Sequence, residues 1–316
     1  MAVDRGRAAW KARRGPALQV LRKHAPDFVG TQEATQEQYE FFRDNLEGYG
    51  VLGECAGPCV GANERVFILY NANKWDVIEN GNFALLWRQS DKPEKLGSNT
   101  WGLEYNRMAS WGRFQLKTDS SVTACFFNTH FDMSKGHTKS ARLITQRMSK
   151  ICQQQDLTML TGDLNTTPDK EVIQYLLGRK SIDGERSVLP LVSAQKEAKL
   201  EGGTFIGSFT GSIGDTVFDY VFARRDNALC IESAEVIDER FDGKNAISDH
   251  ALILATFCLG DACTMCANKR VPAPSEAGAR IPHPARLRTR VPRVPMPPPA
   301  PSTRSKRSPT PKPRTY

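Results

Sequence analysis

The apolar positions of the chain switch between helical and extended spacing over its first 260 residues. Apolar side chains recur at helical spacing over 11–25, 35–46 and 138–153, and Thr167-Pro168 is typical of a further helix start. Short apolar runs predict strands at 28–29, 66–70, 83–87, 122–129, 157–160, 217–222, 229–237 and 251–257. Several of these strands are adjacent in sequence, which favours mixed sheets with helices outside, in one α/β domain.

The composition changes after this domain, which we place at residues 1–260. Thirteen of the nineteen prolines lie in 272–313, with basic residues between them and few apolar ones. Such a segment cannot bury enough surface to fold, so we expect a disordered tail over 261–316. The proline run at 295–301 suits a polyproline-recognising domain, and the basic residues suit an anionic surface. A solvated tail without a specific partner is a third interpretation.

The net charge is unevenly distributed along the chain. The whole sequence has 43 basic and 35 acidic side chains, a formal charge of +8. Residues 261–316 hold 12 basic and 2 acidic side chains, which leaves 31 and 33 in residues 1–260, a net of −2. The basic character therefore belongs to the tail and does not indicate a nucleic-acid surface on the domain, although nucleic acid stays a possible partner.

The eight cysteines allow two interpretations. Cys125, Cys230 and Cys258 lie in apolar runs and are interpreted as small core residues. Two closely spaced pairs suit either disulfides or halves of zinc sites, and we favour free or locally paired cysteine because no further ligand cluster lies nearby. These pairs are Cys55 with Cys59 and Cys263 with Cys266.

Targeting signals are not visible in the sequence. No stretch is long and apolar enough to span a membrane, and the first residues lack the apolar core of a signal peptide. We expect a monomer without a transmembrane segment and leave its localisation open.

Polar residues capable of chemistry end or interrupt several apolar runs. Asp163 and Asn165 follow the run at 157–160, and their spacing of two points both side chains the same way in extended backbone. Asp219 interrupts an apolar run, where a charge is costly unless it is paired or functional. An aspartate that accepts from an imidazole, such as that of His250, fixes the tautomer and stabilises the imidazolium.

Five such strings, taken together, resemble the endonuclease/exonuclease/phosphatase superfamily, which includes pancreatic deoxyribonuclease, inositol polyphosphate 5-phosphatases and deadenylases. Gln-Glu, Thr-His-Phe-Asp, Gly-Asp-Leu-Asn, Phe-Asp-Tyr and Ser-Asp-His occur in the order and spacing of that family, over roughly residues 10–258. The resemblance implies a four-layer sandwich of two mixed, mostly antiparallel β-sheets flanked by helices. It also implies in-line attack of water on phosphorus with Mg²⁺, or Mn²⁺, as the cofactor.

The resemblance implies a role for each motif residue. Glu33 and Asp249 look like metal-associated carboxylates. His250 resembles the imidazole beside the scissile phosphate, paired with Asp219. Asp163 resembles the group that orients the attacking water.

Four further residues complete the implied site. Asn165 and His130 look like contacts to phosphoryl oxygens. Glu64 resembles the acid that supports this histidine. Arg107 fits either a contact to the substrate anion or a structural salt bridge.

One departure from the superfamily pattern leaves alternatives open. The superfamily normally begins with a strand carrying an asparagine that supports the metal site, and the sequence before Trp10 has neither an apolar strand nor an asparagine. Either the sequence is truncated or this strand is missing. The leading hypothesis is a Mg²⁺-dependent phosphoesterase that cleaves phosphodiesters, and the alternatives are a nuclease and a catalytically degenerate binding or scaffold protein.

Overall fold

The computed structural model describes residues 9–56, 64–85, 101–225 and 229–259. The predicted tail over 261–316 lies outside these residues, and the predictions about its binding partners therefore stay predictions. Within the described ranges no helix is long and apolar enough to cross a membrane.

Helices and strands alternate irregularly along the described part of the chain. The helices are α1 (Trp10–His24), α2 (Gln36–Asn45), α3 (His137–Ile151), α4 (Glu171–Leu176) and α5 (Ala194–Glu197). The first strands are β1 (Phe28–Ala34), β2 (Tyr49–Leu52), β3 (Arg65–Asn71), β4 (Trp75–Ala84), β5 (Met108–Leu116), β6 (Asp119–His130) and β7 (Leu157–Asp163). The others are β8 (Leu191–Ser193), β9 (Asp219–Arg224), β10 (Leu229–Ile237), β11 (Arg240–Phe241), β12 (Asn245–Ala246) and β13 (Leu252–Leu259).

The largest sheet has six strands in the order β4-β5-β6-β7-β9-β8. Only the β6–β7 pair is parallel, and the other four neighbouring pairs of this sheet are antiparallel. Helices cover its outer face, where Phe127 of β6, Ile144 of α3 and Val172 of α4 belong to one buried apolar cluster. The sheet is therefore mixed, as the sequence predicts.

A second layer of strands packs on the inner face of the six-stranded sheet. It consists of the sheet β1-β3-β2 and the pair β10-β13, both antiparallel. Phe28 of β1 and Phe257 of β13 join the cluster between the two layers of strands, whereas Val29 and Leu252 join the cluster beneath α1 and α2. The two small sheets thus face the same two cores, and the predicted four-layer α/β sandwich is confirmed.

The two small sheets are not hydrogen-bonded to each other in the described residues. There, β1 pairs only with β3, and β13 pairs only with β10. Helix α1 packs on both from outside, because its Leu21 lies in the same cluster as Val29 of β1 and Leu252 of β13. Arg13 of α1 also donates a hydrogen bond of 2.7 Å to the carbonyl of Ile247, in the loop before β13. No described strand precedes α1, so the prediction that an N-terminal strand is missing stays a prediction.

Three local predictions are wrong or incomplete. Helix α4 begins at Glu171 and not at Thr167-Pro168, because these two residues lie in the preceding turn. Of the strand predicted at 83–87, residues 83–84 form the end of β4, a long edge strand with exposed polar residues, and residues 86–87 lie outside the described ranges. Strand β5 is missing from the predictions, because it buries polar Ser110 and Arg113 among its apolar residues.

The described cysteines are disulfide-bonded. Cys125 of β6 is linked to Cys152 at the end of α3, with 5.6 Å between their Cα atoms. Cys55, Cys230 and Cys258 are also disulfide-bonded. Cys125 and Cys230 are buried, as expected for small core residues, and Cys258 is half-buried. All three also carry cross-links, which that interpretation did not include.

A buried ion pair holds β5 to the start of β7. Arg113 donates to Asp156 through Nε at 2.8 Å and through NH2 at 3.2 Å, and the Asp156 side chain is fully buried. Burial raises the pKa of this carboxyl group, but hydrogen bonds from Arg113, Thr123 and the Gln153 amide outweigh burial and hold the pKa below its usual value. The carboxylate is therefore charged and fully bonded inside the protein.

We expect Asp156→Ala to lower the free energy of unfolding by about 3–5 kcal/mol, because it leaves Arg113 buried without its partner. Urea unfolding measures the change. Asp76→Ala is the matched control, since this carboxylate pairs with Lys117 at an exposed site, and its loss should change stability by about 0.5 kcal/mol or less.

The ion pair of Arg113 and Asp156 makes the stability of the fold depend on pH. A lowered pKa means that the contribution of Asp156 is present above the usual pKa of a carboxyl group and is lost as the pH falls through the lowered value. The stability difference between the wild type and Asp156→Asn should therefore narrow on acidification. A difference that widens at acidic pH would contradict this account.

Candidate functional site

The ends of three neighbouring strands bring three predicted site residues into one row. His130 of β6 is the register partner of Asp163 of β7, and Asp163 is the register partner of Asp219 of β9. All three residues end or begin their strands, so their side chains meet at one edge of the sheet. Residues far apart in sequence therefore become neighbours through strand pairing alone.

His250 joins this row through a hydrogen bond to Asp219. Its Nδ1 lies 2.8 Å from Oδ2 of Asp219, and the same oxygen accepts a hydrogen bond of 2.6 Å from the Thr204 hydroxyl. The Phe205 ring stands edge-on to the imidazole, with the ring centroids 5.1 Å apart. The charge that interrupts the apolar run of β9 is thus paired, and the imidazole is fixed in orientation.

Several carboxylates raise the pKa of His250. Burial lowers it, but the hydrogen bond to Asp219 and the charges of Asp219, Asp163 and Asp249 outweigh burial and raise the pKa to about 9. The imidazole is therefore protonated at neutral pH in the metal-free protein.

His130 is enclosed on its Nδ1 side by a buried salt bridge. The NH1 atom of Arg107 donates to Nδ1 of His130 at 2.7 Å and to Oε2 of Glu64 at 2.8 Å. Burial raises the pKa of Glu64, but its interactions with His130 and Arg107 outweigh burial and lower the pKa below its usual value.

The Nε2 side of His130 faces the other candidate residues. Nε2 lies 3.1 Å from Nδ2 of Asn165, 3.5 Å from Oδ2 of Asp163 and 4.0 Å from Oε1 of Glu33. His130 is itself almost fully buried. His130 therefore lies at the base of the site, where Glu33 of β1, Asp163 of β7 and Asn165 surround its Nε2 atom.

Asp163 is a buried carboxyl group with a raised pKa. Burial raises its pKa and the neighbouring Asp219 raises it further, against the opposing effects of His130, His250 and the Asn165 amide. The Asn165 backbone N–H donates to Oδ1 at 2.8 Å. The other oxygen, Oδ2, lies between the two histidines, 3.9 Å from Nδ1 of His250.

Two candidate residues have left-handed backbone. Glu33 has φ of 54° and Asn165 has φ of 46°. Asparagine tolerates this region, whereas glutamate rarely adopts it. Glu33 lies where the register of β1 against β3 shifts, between Thr31 and Ala34, so this irregularity aims its carboxylate at His130.

Asp249 and Arg107 differ from the other candidates in their placement. The Asp249 carboxylate lies 3.4 Å from the Ser248 hydroxyl, and its main-chain oxygen accepts from the amides of Ile206 and Gly207. Asp249 adjoins His250 in sequence and helps to raise the pKa of that imidazole, but its carboxylate is in neither of the two groups of converging ligand atoms found among the described residues. Arg107 is buried in its salt bridge, so the structure favours the salt-bridge interpretation over contact with a substrate anion.

The family of the chain follows from a family model. The model of the Endonuclease/Exonuclease/phosphatase family matches residues 4–250. The chain belongs to this family. A search of curated protein sequences found no match.

Solved structures support the same fold. A mannosyl-6-phosphatase from Bacteroides thetaiotaomicron is 22% identical, with a TM-score of 0.67, and the match covers 81% of this chain and 96% of that one. The catalytic domain of human nocturnin with bound sulfate is 19% identical (TM-score 0.57, 79% and 87% covered). TDP2 from D. rerio with a single-strand DNA product is 15% identical (TM-score 0.58, 78% and 91% covered). At these identities the likeness concerns the fold.

The donor atoms of this family member suit a hard divalent cation. Glu33, Glu64 and His130 form one group whose ligand atoms lie within 4.8 Å of one another, and Asp163, Asp219 and His250 form another. Carboxylate oxygens are the ligands that Mg²⁺ prefers. Within the first group, Glu64 is bonded to Arg107, and Glu33 lies 4.0 Å from Nε2 of His130.

Sequence reasoning missed several residues that hold the site together. Thr204 supports Asp219, and Phe205 packs on His250. Both lie in a loop without regular structure, and neither had a signal in the sequence. Asn128, which directly precedes the string Thr-His-Phe-Asp, was assigned no role from the sequence, although its buried amide contacts β1, β3 and β7.

We expect NMR titration of the metal-free protein to place the pKa of His250 near 9. In Asp219→Asn it should fall toward the ordinary value of about 6.5, because the charge that holds the proton is removed. The raised pKa also means that the charge of His250 stabilises the fold below its ordinary pKa and that this contribution is lost as the pH rises through about 9. An unchanged titration in the variant would contradict the role of Asp219.

Proposed function

We propose that the protein is a Mg²⁺-dependent phosphoesterase that cleaves phosphodiesters by in-line attack of water. The observation that carries the proposal is the row formed by His130, Asp163, Asp219 and His250, with Glu33 facing it. This row combines a buried carboxyl group of raised pKa with a charged imidazole. Such a combination suits the activation of water next to an anionic phosphoryl group.

Glu33 and Asp249 are the residues that we propose to hold the metal ion, Mg²⁺ or Mn²⁺. Both offer hard oxygen donors from half-buried positions at this edge of the sheet. When bound, the ion supplies charge neutralisation at the phosphoryl and leaving oxygens.

Asp163 is proposed to orient the attacking water and take its proton. A carboxyl group with a raised pKa is a stronger base than an exposed one. Its Oδ1 is held by the Asn165 amide, which fixes the direction of Oδ2. The Asn165 side chain and Nε2 of His130 lie beside it and are proposed to contact phosphoryl oxygens.

His250 is proposed to stabilise negative charge on the phosphoryl group. Asp219 holds its Nδ1, and Nε2 makes no hydrogen bond within the described part of the chain. Nε2 of the imidazolium is thus available to donate toward a substrate oxygen. Because the ring is charged at neutral pH, it acts as a donor there and not as a base.

The charge of the domain bears on the size of the substrate. Residues 1–260 carry a net charge of −2, and binding of a long polyanion depends on a basic surface. This supports a small phosphodiester over a long nucleic acid. The mannosyl-6-phosphatase and the DNA product in the TDP2 complex indicate the range of esters to be tested.

We expect Asp163→Asn to lower kcat by about 10²–10⁴-fold, because the amide cannot take the proton of water. The assay uses bis-p-nitrophenyl phosphate, p-nitrophenyl phosphate, DNA and RNA with Mg²⁺ or Mn²⁺. Asp183→Asn is the matched control, since this exposed carboxylate pairs with Arg142 away from the row. Equal turnover in wild type and Asp163→Asn, or none in either with any ester, would sink the proposal.

We expect Mg²⁺ calorimetry to give clear binding that Glu33→Gln weakens strongly, because one carboxylate ligand becomes a neutral amide. Glu37→Gln is the control, since Glu37 lies exposed in the first turn of α2. A folded wild-type protein that binds no Mg²⁺ and hydrolyses no ester would favour the degenerate binding or scaffold alternative.

A further inference from the structure

A buried amide joins the two layers of strands directly beneath the candidate site. Nδ2 of Asn128 on β6 donates to the carbonyls of Thr31 at 2.8 Å and Phe67 at 3.0 Å. Its Oδ1 accepts from Nε2 of Gln32 at 2.7 Å and from the Thr161 hydroxyl at 3.1 Å. The amide is fully buried and all its hydrogen-bonding positions are used.

The backbone of β1 lies unusually close to the six-stranded sheet at this point. A Cβ atom on Gly30 would meet Thr161 Oγ1 at 2.2 Å and Asn128 Oδ1 at 2.4 Å. The residue there must therefore be glycine for the amide to reach the backbone of β1. The short distance between the layers and the hydrogen bonds of Asn128 depend on each other.

This contact bears directly on the position of Glu33. Among the described strands β1 is hydrogen-bonded only to β3, and Asn128 bonds both residues that precede Glu33, Thr31 through its carbonyl and Gln32 through its side chain. Glu33 then follows in left-handed backbone with φ of 54°. The direction of its carboxylate therefore depends on where the preceding two residues are held.

We propose that Asn128 is a positioning residue that sets the distance of Glu33 from His130 and Asp163. The inference rests on the proposed function, because it takes Glu33 as a metal ligand. Asn128 touches neither substrate nor metal in this account. It acts by fixing β1 against the strands that carry the other site residues, since one amide donates to two strands and accepts from two side chains.

The test replaces this amide and measures metal affinity separately from stability. We expect Asn128→Asp, which loses both donors, to weaken Mn²⁺ affinity by about 10–100-fold, as supporting contacts of metal ligands do. Electron paramagnetic resonance titration of the full chain with Mn²⁺ measures it. Hydrogen exchange of residues 31–35 in the metal-free protein should be faster in the same variant.

Ser110→Ala is the matched control. Ser110 is the register partner of Asn128 on β5, is equally buried, and donates to the Val66 carbonyl of the same inner sheet, but does not touch β1. Its loss should lower stability while Mn²⁺ affinity and exchange over 31–35 stay unchanged. Thr161→Val, which removes one donor to Asn128, gives a milder change if Asn128→Asp does not fold.

The outcomes separate this inference from the proposed function. Wild-type protein that binds no Mn²⁺ would contradict the proposed function. In that case, hydrogen exchange of residues 31–35 in Asn128→Asp, compared with the wild type, would still show whether Asn128 fixes the position of β1. Normal Mn²⁺ affinity and normal exchange in a folded Asn128→Asp or Thr161→Val variant would overturn the positioning role. Equal losses of affinity in Asn128→Asp and Ser110→Ala would overturn it too, since general destabilisation would then explain both.

Discussion

Strand pairing places two carboxyl groups side by side, and the rest of the site depends on this constraint. Asp163 and Asp219 are register partners on β7 and β9, partly removed from water. Two like charges in such a place are costly unless cations or protons compensate them. His130 and His250 flank the pair, so the raised pKa of His250 and that of Asp163 are two consequences of one geometry.

The inner layer of strands contributes the remaining carboxylates by a different route. Glu33 reaches the row from β1, which within the described residues pairs on one edge only. Asp249 lies three residues before β13. The strands β1 and β13 face the same two cores without being hydrogen-bonded to each other. Polar contacts across the layers, such as those of Asn128, hold β1 against the six-stranded sheet.

The sequence predicts the layers and the row better than it predicts the supports. Asp219 stands out because a charge interrupts an apolar run, and that signal follows from the cost of burial. Strand β5 was missed because buried polar residues, Ser110 and Arg113, break up its apolar run. The partner that neutralises Arg113 is Asp156, which lies 43 residues away in sequence. The role of Thr204 could not be predicted from the sequence either, because its contact with Asp219 depends on the conformation of the loop that carries it. Periodicity reports burial, whereas these contacts depend on tertiary structure.

The most direct test of the central claim is hydrolysis of a phosphodiester in ¹⁸O-labelled water with Mg²⁺. If water activated at this row attacks phosphorus, a single turnover places one ¹⁸O atom in the phosphate-containing product and none in the released alcohol. Mass spectrometry of both products measures the label. Label in the alcohol, or labelled phosphate formed equally fast by Asp163→Asn, would contradict the account.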